Sequence, residues 1–162
     1  MEKKVMEKAK GIFDRLVIYM EKEGWHPKIV ENDSVFHITA SARGDDLPMD
    51  FSIRVDAKRQ VLSVLSYMPF VMDKTRLIEG AVATSVINYV LAVGCFDYDI
   101  QSGSIIFRIS TSWKNSQISD DVFEYLLMSS AYTIDKYNDK MLMVSKGIMS
   151  LDDFYKFVHS DE

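Results

Sequence analysis

The segment 95-CFDYDIQSGSIIFRI-109 decides the fold, because its two halves alternate apolar and polar residues around a glycine-containing turn. Such alternation is typical of β-strands with one buried face, and Ser102-Gly103 suits a two-residue turn. The segment therefore predicts an antiparallel hairpin. The predicted register pairs Ile100 with Ile105, Tyr98 with Phe107 and Phe96 with Ile109. It also sets Asp97 opposite Arg108 on the other face, where opposite charges form a favourable structural pair.

The sequence on either side of this hairpin completes a pattern of helices and strands. An N-terminal helix carries an apolar stripe from Val5 to Met20, and strands are expected at 35–41, 49–56 and 61–68. A middle helix is expected at about 73–93, a long helix between Ser119 and Gly147, and a short C-terminal helix at about 151–159. The predicted fold class is α+β in the order α-β-β-β-α-β-β-α, with an antiparallel sheet packed by helices. We expect one domain over residues 1–162.

Two of these elements carry more apolar residues than one buried face needs. The strand at 61–68 is apolar in both phases, and the middle helix is apolar nearly all round, with Ile78, Val82 and Tyr89 on the face expected to be buried. A chain of 162 residues has little material to cover both elements on both sides, so we predict a homodimer. The candidate interface residues are Val61, Leu65, Tyr67, Ile87, Val90, Leu91 and Ile106.

Composition narrows the class of protein. The net charge is −5, and the basic residues are spread among acidic ones, so no concentrated basic face is available for nucleic acid. The longest apolar stretch, at 78–96, is interrupted by polar residues, and we expect no membrane segment. The N-terminal sequence lacks the pattern of a signal peptide, and a single cysteine fits a reducing compartment. We therefore expect a cytoplasmic protein.

The residues that could carry chemistry are few. Asp97-Tyr98-Asp99 has the form of a paired-carboxylate or metal site, but the pairing of Asp97 with Arg108 favours a solvated strand face. His26, His37 and His159 fall in no zinc-binding spacing, and no nucleophile elbow, P-loop or dinucleotide motif occurs. The sequence predicts no catalytic residue, no cofactor and no metal.

One group of residues resembles a known family. The runs Asn88-Tyr89-Val90-Leu91, Gly94 to Asp99 and Gly103 to Arg108 resemble the YbjN family of bacterial sensory transduction regulators. The resemblance extends from Phe51 to about Ser150. It implies a fold like that of type III secretion chaperones, often paired as a dimer, with no catalytic residue to carry over. What it implies for function is a regulatory or chaperone-like role in binding another protein.

Three hypotheses for function follow from these patterns. The first is a non-enzymatic interaction module, a homodimer that binds a protein partner through a sheet edge or an apolar groove. The second is a small-molecule sensor with a pocket between the sheet and the long helix, lined by Phe51, Tyr98, Phe107 and Tyr137. The third, which the sequence favours least, is an enzyme that uses Asp97, Asp99 and Arg108.

Overall fold

The structure, a computed structural model, describes residues 3–31 and 35–160. The helices are α1 (Lys3–Lys22), α2 (Leu77–Val90), α3 (Asp120–Ser145) and α4 (Leu151–Val158), and a 3₁₀ turn at Lys74–Arg76 precedes α2. The strands are β1 (Lys28–Glu31), β2 (Val35–Arg43), β3 (Pro48–Asp56), β4 (Val61–Tyr67), β5 (Cys95–Tyr98) and β6 (Ile105–Ser112).

These strands form one six-stranded sheet in the order β1-β2-β3-β4-β6-β5, and every neighbouring pair is antiparallel. The prediction of an α+β fold with an antiparallel sheet and this order of elements is confirmed, with β1 as an additional strand. The sequence did not indicate β1, because this edge strand has four residues, and its two central residues, Ile29 and Val30, are both exposed. An edge strand without an alternating pattern carries little signal.

The helices lie on one face of the sheet, and the other face is open. Alternate residues of each long strand point towards the helices and are buried, as the pattern of β4 shows with Leu62, Val64 and Ser66. Helix α1 packs on β2 and β3, α3 crosses β3, β4 and β6, and α2 lies over β5. No described helix covers the intervening strand residues, so they form an open sheet face.

The hairpin of β5 and β6 is present, but its register differs from the predicted one. Phe96 lies opposite Phe107 and Tyr98 opposite Ile105, so the pairing is displaced by two residues, and the connection runs over residues 99–104 instead of two residues. The reason is local. The Asp99 carboxylate accepts hydrogen bonds from the Gln101 backbone N–H and the Ser102 hydroxyl, which builds a longer turn. Ile100 is consequently exposed in this turn.

The large residues of helix α2 predict that one face packs on the core, but the opposite face does so in the structure. Its buried residues are Gly80, Ala83, Thr84 and Ile87, whereas Ile78, Val82 and Tyr89 are exposed. A Cβ atom added at Gly80 would lie 2.6 Å from Met72 Cγ and 2.7 Å from Tyr98 Oη, so only small residues fit at this contact. The prediction that α2 is buried nearly all round is therefore wrong.

Two side chains tie α2 to β5. The Asn88 amide accepts from the Phe96 backbone N–H at 2.7 Å and donates to the Phe96 carbonyl at 3.0 Å. The Tyr98 hydroxyl donates to the Leu77 carbonyl at 2.8 Å, in the first turn of the helix. These bonds satisfy both backbone groups of an edge-strand residue, which otherwise bond only to solvent.

Helix α3 spans 26 residues, which at 1.5 Å per residue is about 40 Å and longer than any strand beneath it. It meets β4 at the buried hydroxyl pair Ser66–Ser130, and at its C-terminal end Ser145 Oγ accepts from the Asp73 backbone N–H. Helix α3 also packs against α2 and α4. Helix α4 begins after Ser150, whose hydroxyl accepts from the Asp153 backbone N–H in a capping arrangement.

Candidate functional site

The open sheet face gathers four of the predicted interface residues. Val61, Leu65 and Tyr67 lie on β4 and Ile106 on β6, and all four are partly exposed on the side away from the helices. Tyr67 is directly opposite Ile106 in the register of the two strands. They form an apolar strip on β4 and β6, next to polar residues such as Ser63 and Arg108. A partner that covered this face would bury them.

The other three predicted interface residues lie elsewhere. Ile87 is completely buried against the sheet, so it cannot contact a partner, and its prediction as an interface residue is wrong. Val90 and Leu91 lie at the end of α2, where they line a crevice with Tyr132 and Lys136 of α3 on the helical side of the molecule. The seven residues therefore do not form one surface, because the inward face of α2 was assigned incorrectly.

The outward face of α2 forms a second exposed surface, which the sequence interpretation placed in the core. We define the apolar face as Ile78, Val82, Val86 and Tyr89 of α2 with Tyr155 and His159 near α4. Ile78 is 64% exposed and Tyr89 is 83% exposed. The only charged residue within α2 is Glu79, whose carboxylate pairs with Arg76 at 3.5 Å.

Aromatic rings shape this apolar face into a groove. The His159 ring stacks on Tyr155 with a centroid distance of 4.1 Å, and its centroid lies 6.3 Å from that of Tyr89. The groove has a volume of about 430 Å³ and runs between α2 and the C-terminal part of α4. Its walls are apolar and aromatic, and such walls bind apolar side chains. The absence of charge along α2 was the available sequence signal for this surface.

A different kind of hollow lies on the open sheet face, over β2 and β3. We define the basic cleft by His26, Lys28, His37, Arg54 and Tyr67, which surround a volume of about 530 Å³. His37 Nε2 lies 2.8 Å from Ser52 Oγ, and Arg54 Nε donates to the same oxygen at 3.2 Å. Burial lowers the pKa of His37, and the positive charge of Arg54 lowers it further.

The acidic residues of the hairpin are occupied by local hydrogen bonds. Arg108 donates to both carboxylate oxygens of Asp97, at 2.7 and 2.9 Å, although the two residues are diagonal and not opposite in the register. These bonds hold the pKa of Asp97 below its usual range, while partial burial acts against the shift. A hydrogen bond from the Ser102 hydroxyl similarly lowers the pKa of Asp99. The two carboxylates serve the strand pair and the turn separately, which is not the arrangement of a general acid and base.

The single cysteine shares this corner of the sheet. Arg108 Nη2 lies 3.4 Å from Cys95 Sγ, and the thiol is partly buried. Burial raises the pKa of the Cys95 thiol, although the Arg108 guanidinium acts in the opposite direction. A raised pKa disfavours the thiolate, which is the reactive form.

The residues predicted to line a sensor pocket between sheet and long helix belong to the core instead. Phe51, Phe107 and Tyr137 are buried, and the Tyr137 ring packs edge-on against Phe96 and Phe157. Tyr98 is partly buried beneath α2, where its hydroxyl bonds to the helix. The four side chains fill space between the two layers and do not surround a common cavity among those described above.

Residues 3–31 and 35–160 contain neither a cluster of metal ligands nor a membrane-spanning helix. In that part of the chain no three His, Cys, Asp or Glu residues converge in a way that could hold a metal ion. Over the same residues, no helix has the length and the apolar composition needed to span a bilayer.

Comparison with known proteins gives the fold. No protein-family model and no curated protein matches this chain. The solved structure of YbjN from E. coli, a candidate transcription regulator, is similar with a TM-score of 0.53 and 15% identity, over 78% of this chain and 91% of YbjN. The ExsC–ExsE complex is also similar, with a TM-score of 0.47 and 13% identity, over 80% of this chain and 95% of the matched one. The YbjN-like fold predicted from the sequence is confirmed.

Proposed function

We propose that this protein is a non-enzymatic regulatory or chaperone-like module of the bacterial cytoplasm, which forms a homodimer and binds a protein partner. The observation that carries the proposal is the apolar face of α2 and α4, with its exposed Ile78, Val82 and Tyr89. Contiguous exposed apolar surfaces on soluble proteins mark interaction sites. The fold shared with YbjN, itself described as a candidate transcription regulator, supports a regulatory role.

A second copy of the chain is the occupant that best fits the apolar face. Each copy carries a net charge of −5, so two copies repel one another, and a contact surface without charge adds no close pair of like charges to that repulsion. The outward face of α2 has this property, because Glu79 is paired with Arg76 and the remaining residues are uncharged. In a two-fold contact the same surface meets itself, which an uncharged apolar surface permits without a complementary patch.

Dimerisation through α2 leaves the open sheet face accessible. The helices and the open face lie on opposite sides of the sheet, so the apolar strip of Val61, Leu65, Tyr67 and Ile106 stays exposed in each copy. In this proposal the strip contacts the protein partner and does not form the dimer interface. The net negative charge of the chain makes nucleic acid an unfavourable partner.

The acidic residues of the hairpin support a role in binding and do not favour a role in catalysis. Both oxygens of Asp97 accept from Arg108, and both oxygens of Asp99 accept bonds within the turn. A general acid or base must lie within hydrogen-bond reach of the proton that it transfers, whereas the contacts of these two carboxylates lie within the hairpin.

Sedimentation velocity at micromolar concentrations tests the proposal with two matched variants. Ile78 of α2 and Ile18 of α1 are the same residue type and are 64% and 63% exposed. We expect the wild type and Ile18→Asp to sediment as dimers and Ile78→Asp as a monomer, because only the latter introduces charge into the apolar face. An aspartate in the first turn of α2 is favoured by the helix dipole, so loss of the dimer would not reflect a weakened helix.

Two outcomes of the same experiment would contradict the proposal. A monomeric wild type at high micromolar concentration would remove the dimer altogether. Equal behaviour of Ile78→Asp and Ile18→Asp would show that the dimer uses another surface. Thermal unfolding of each variant at low concentration confirms that the fold itself is retained.

A further inference from the structure

The basic cleft exists because small residues form its floor. Thr39 of β2 lies opposite Lys28 of β1 and Ser52 of β3, and these short hydroxyl side chains occupy the centre of the open face. Longer side chains surround them, including Lys28, Arg54 and Tyr67. Neighbouring side chains on one face of a sheet stand side by side. A row of short side chains between long side chains therefore leaves a depression. Its volume of about 530 Å³ is in the range of small-molecule sites.

The charges around the basic cleft are not balanced within the protein. Four arginines project from this face, and two of them have acidic partners: Arg108 pairs with Asp97, and Arg59 pairs with Asp56 at 3.1 Å. Of the other two, Arg43 at the end of β2 lies outside the cleft lining, and Arg54 lies within it. Among the residues that the structure describes, Arg54 makes no ion pair, and its Nε bonds only to Ser52 Oγ. Lys28 likewise makes none within that part of the chain. Arginine and lysine without carboxylate partners are available to bind an anion.

A hydrogen-bonded triad places three groups at one end of the cleft. His37 and Arg54 are directly opposite in the register of β2 and β3, and both contact Ser52 Oγ. Since Arg54 Nε–H donates to this oxygen, the Ser52 hydroxyl can donate its own proton to neutral His37. If His37 gains a proton, its Nε2–H donates to Ser52 instead, and the triad persists with an additional positive charge.

We propose that the basic cleft binds a small organic anion, with its phosphate or carboxylate head between Arg54, His37 and Lys28. Asp50 lies at the other end of the cleft, four residues along β3 from Arg54 and therefore about 13 Å away. Its carboxylate accepts from Ser41 Oγ at 2.6 Å and has further acceptor capacity. A ligand that fits both ends carries one anionic head and hydroxyl groups at its opposite end.

NMR titration of the full-length protein with three probes tests this site. The probes are inorganic phosphate, glucose 6-phosphate and gluconate, and the ring-proton signals of His37 report binding and protonation. We expect saturable binding of at least one hydroxylated anion, more tightly than inorganic phosphate. Glucose 6-phosphate binding above gluconate identifies phosphate as the head group, and the reverse order identifies carboxylate. If none of the three probes shifts the His37 signals at millimolar concentration, the proposal is wrong.

Matched arginine variants locate the binding. Arg54→Gln removes the unpaired guanidinium and should weaken binding about tenfold or more, because a charge-assisted contact is lost. Arg59→Gln removes an ion-paired arginine from the same face and should leave the affinity unchanged within about twofold, since Arg59 is outside the cleft lining. Equal weakening by both variants would show general attraction to a basic surface and would overturn the assigned site.

The pH dependence gives an independent measurement. The charged and titratable groups that face His37 are Arg54 on β3, Lys28 on β1, His26 before β1 and Asp50 at the far end. A bound anion favours protonated His37, so binding of gluconate, whose carboxylate stays ionised in this range, should tighten severalfold as the pH falls from about 7.5 to about 5.5. His37→Gln should remove this dependence and keep most of the affinity at neutral pH. Affinity that is independent of pH in the wild type would contradict the placement of the head group beside His37.

Anion binding in the basic cleft can be tested independently of the proposed dimer, because the two use different surfaces. The basic cleft is on the open sheet face, and the apolar face of α2 and α4 is on the helical side. Ile78→Asp should therefore bind the probes as the wild type does, whether or not it dimerises.

Discussion

Helices α1 and α2 pack against the same side of the sheet, yet they differ in which of their residues face the core. Helix α1 turns its large apolar residues inward, and Phe13, Leu16 and Met20 are almost completely buried. Helix α2 turns Gly80, Ala83 and Thr84 inward with a single large residue, Ile87, and leaves Ile78, Val82 and Tyr89 in solvent. Hydrophobicity predicts the buried face of α1 and fails for α2.

The difference lies in how close each helix comes to its neighbours. The inward face of α1 accommodates Phe13, Leu16 and Met20, whereas on the inward face of α2 even a Cβ atom at Gly80 would overlap Met72 and Tyr98. Helix axes approach to a distance set by the side chains at the contact. Where the approach is this close, side-chain volume decides which face is inside. The large apolar residues that are displaced outward then form an exposed surface.

The largest expected difference between the two helices is in the stability lost when a large apolar residue is truncated. Leu16→Ala in α1 is expected to lower the free energy of unfolding by about 2–5 kcal/mol, because it leaves a cavity in the core. Ile78→Ala in α2 should change the stability of the monomer by less than about 0.5 kcal/mol, because that side chain is largely exposed. Urea unfolding at protein concentrations low enough to suppress dimerisation measures both. A loss above 2 kcal/mol for Ile78→Ala would mean that the outward face of α2 is packed.

Substitution of the glycines in α1 and α2 by alanine should change the free energy of unfolding in opposite directions. Gly80→Ala is expected to destabilise the protein by about 1–3 kcal/mol, because the added methyl group overlaps Met72 and Tyr98. Gly11→Ala should stabilise it by up to about 1 kcal/mol, since alanine is the better helix former and the position is open. Thermal and urea unfolding of both variants provide the comparison. Stabilisation by both substitutions would show that α2 does not need a small residue at its contact.

The smallest expected effect concerns the hydroxyl that anchors α2. Tyr98→Phe removes the hydrogen bond to the Leu77 carbonyl and should cost about 0.5–1.5 kcal/mol at neutral pH. Burial raises the pKa of Tyr98, so the fold holds the phenolic proton more tightly than the unfolded chain does. The contribution of Tyr98 is thus complete below pH about 10 and decreases above it, and the difference between wild type and variant should shrink there.

Tyr19→Phe in α1 is the matched control for this measurement. Burial also raises the pKa of Tyr19, but its hydroxyl makes no hydrogen bond within the described residues. We expect it to alter the alkaline limb of the stability curve and leave neutral stability nearly unchanged. If Tyr98→Phe behaves in the same way as Tyr19→Phe, the bond to Leu77 has no role in positioning α2.

The fold could be predicted from the sequence where periodicity and burial agree. Strand β3 alternates regularly, and its buried apolar residues Met49, Phe51, Ile53 and Val55 are those that the alternation assigned, although Ser52 of the outward face is buried as well. The register of the hairpin could not be predicted in this way, because hydrogen bonds to the Asp99 carboxylate lengthened the turn. The inward face of α2 depends on the distance to Met72 and Tyr98, which no local pattern of the helix contains.

The candidate surfaces were less accessible to prediction than the fold. Val61, Leu65 and Tyr67 occupy the phase opposite to Leu62, as the pattern indicated, but the pattern could not show that no described helix covers that face. The residues of the basic cleft come from four separate segments. Strand pairing brings these residues together. An isolated histidine or arginine in the sequence does not indicate which residue will lie opposite it.

The bond between Asn88 and the backbone of Phe96 also limits how such molecules can assemble. An open sheet polymerises when each of its two outer strands can accept a strand from another molecule. On the β5 side, Asn88 already occupies both backbone groups of Phe96, so that end is terminated within the chain. The edge strand β1, at the opposite end, has no such side chain bonded to it among the described residues. An association that extends the sheet is therefore favoured at β1 and opposed at Phe96, where one amide side chain competes with an incoming strand.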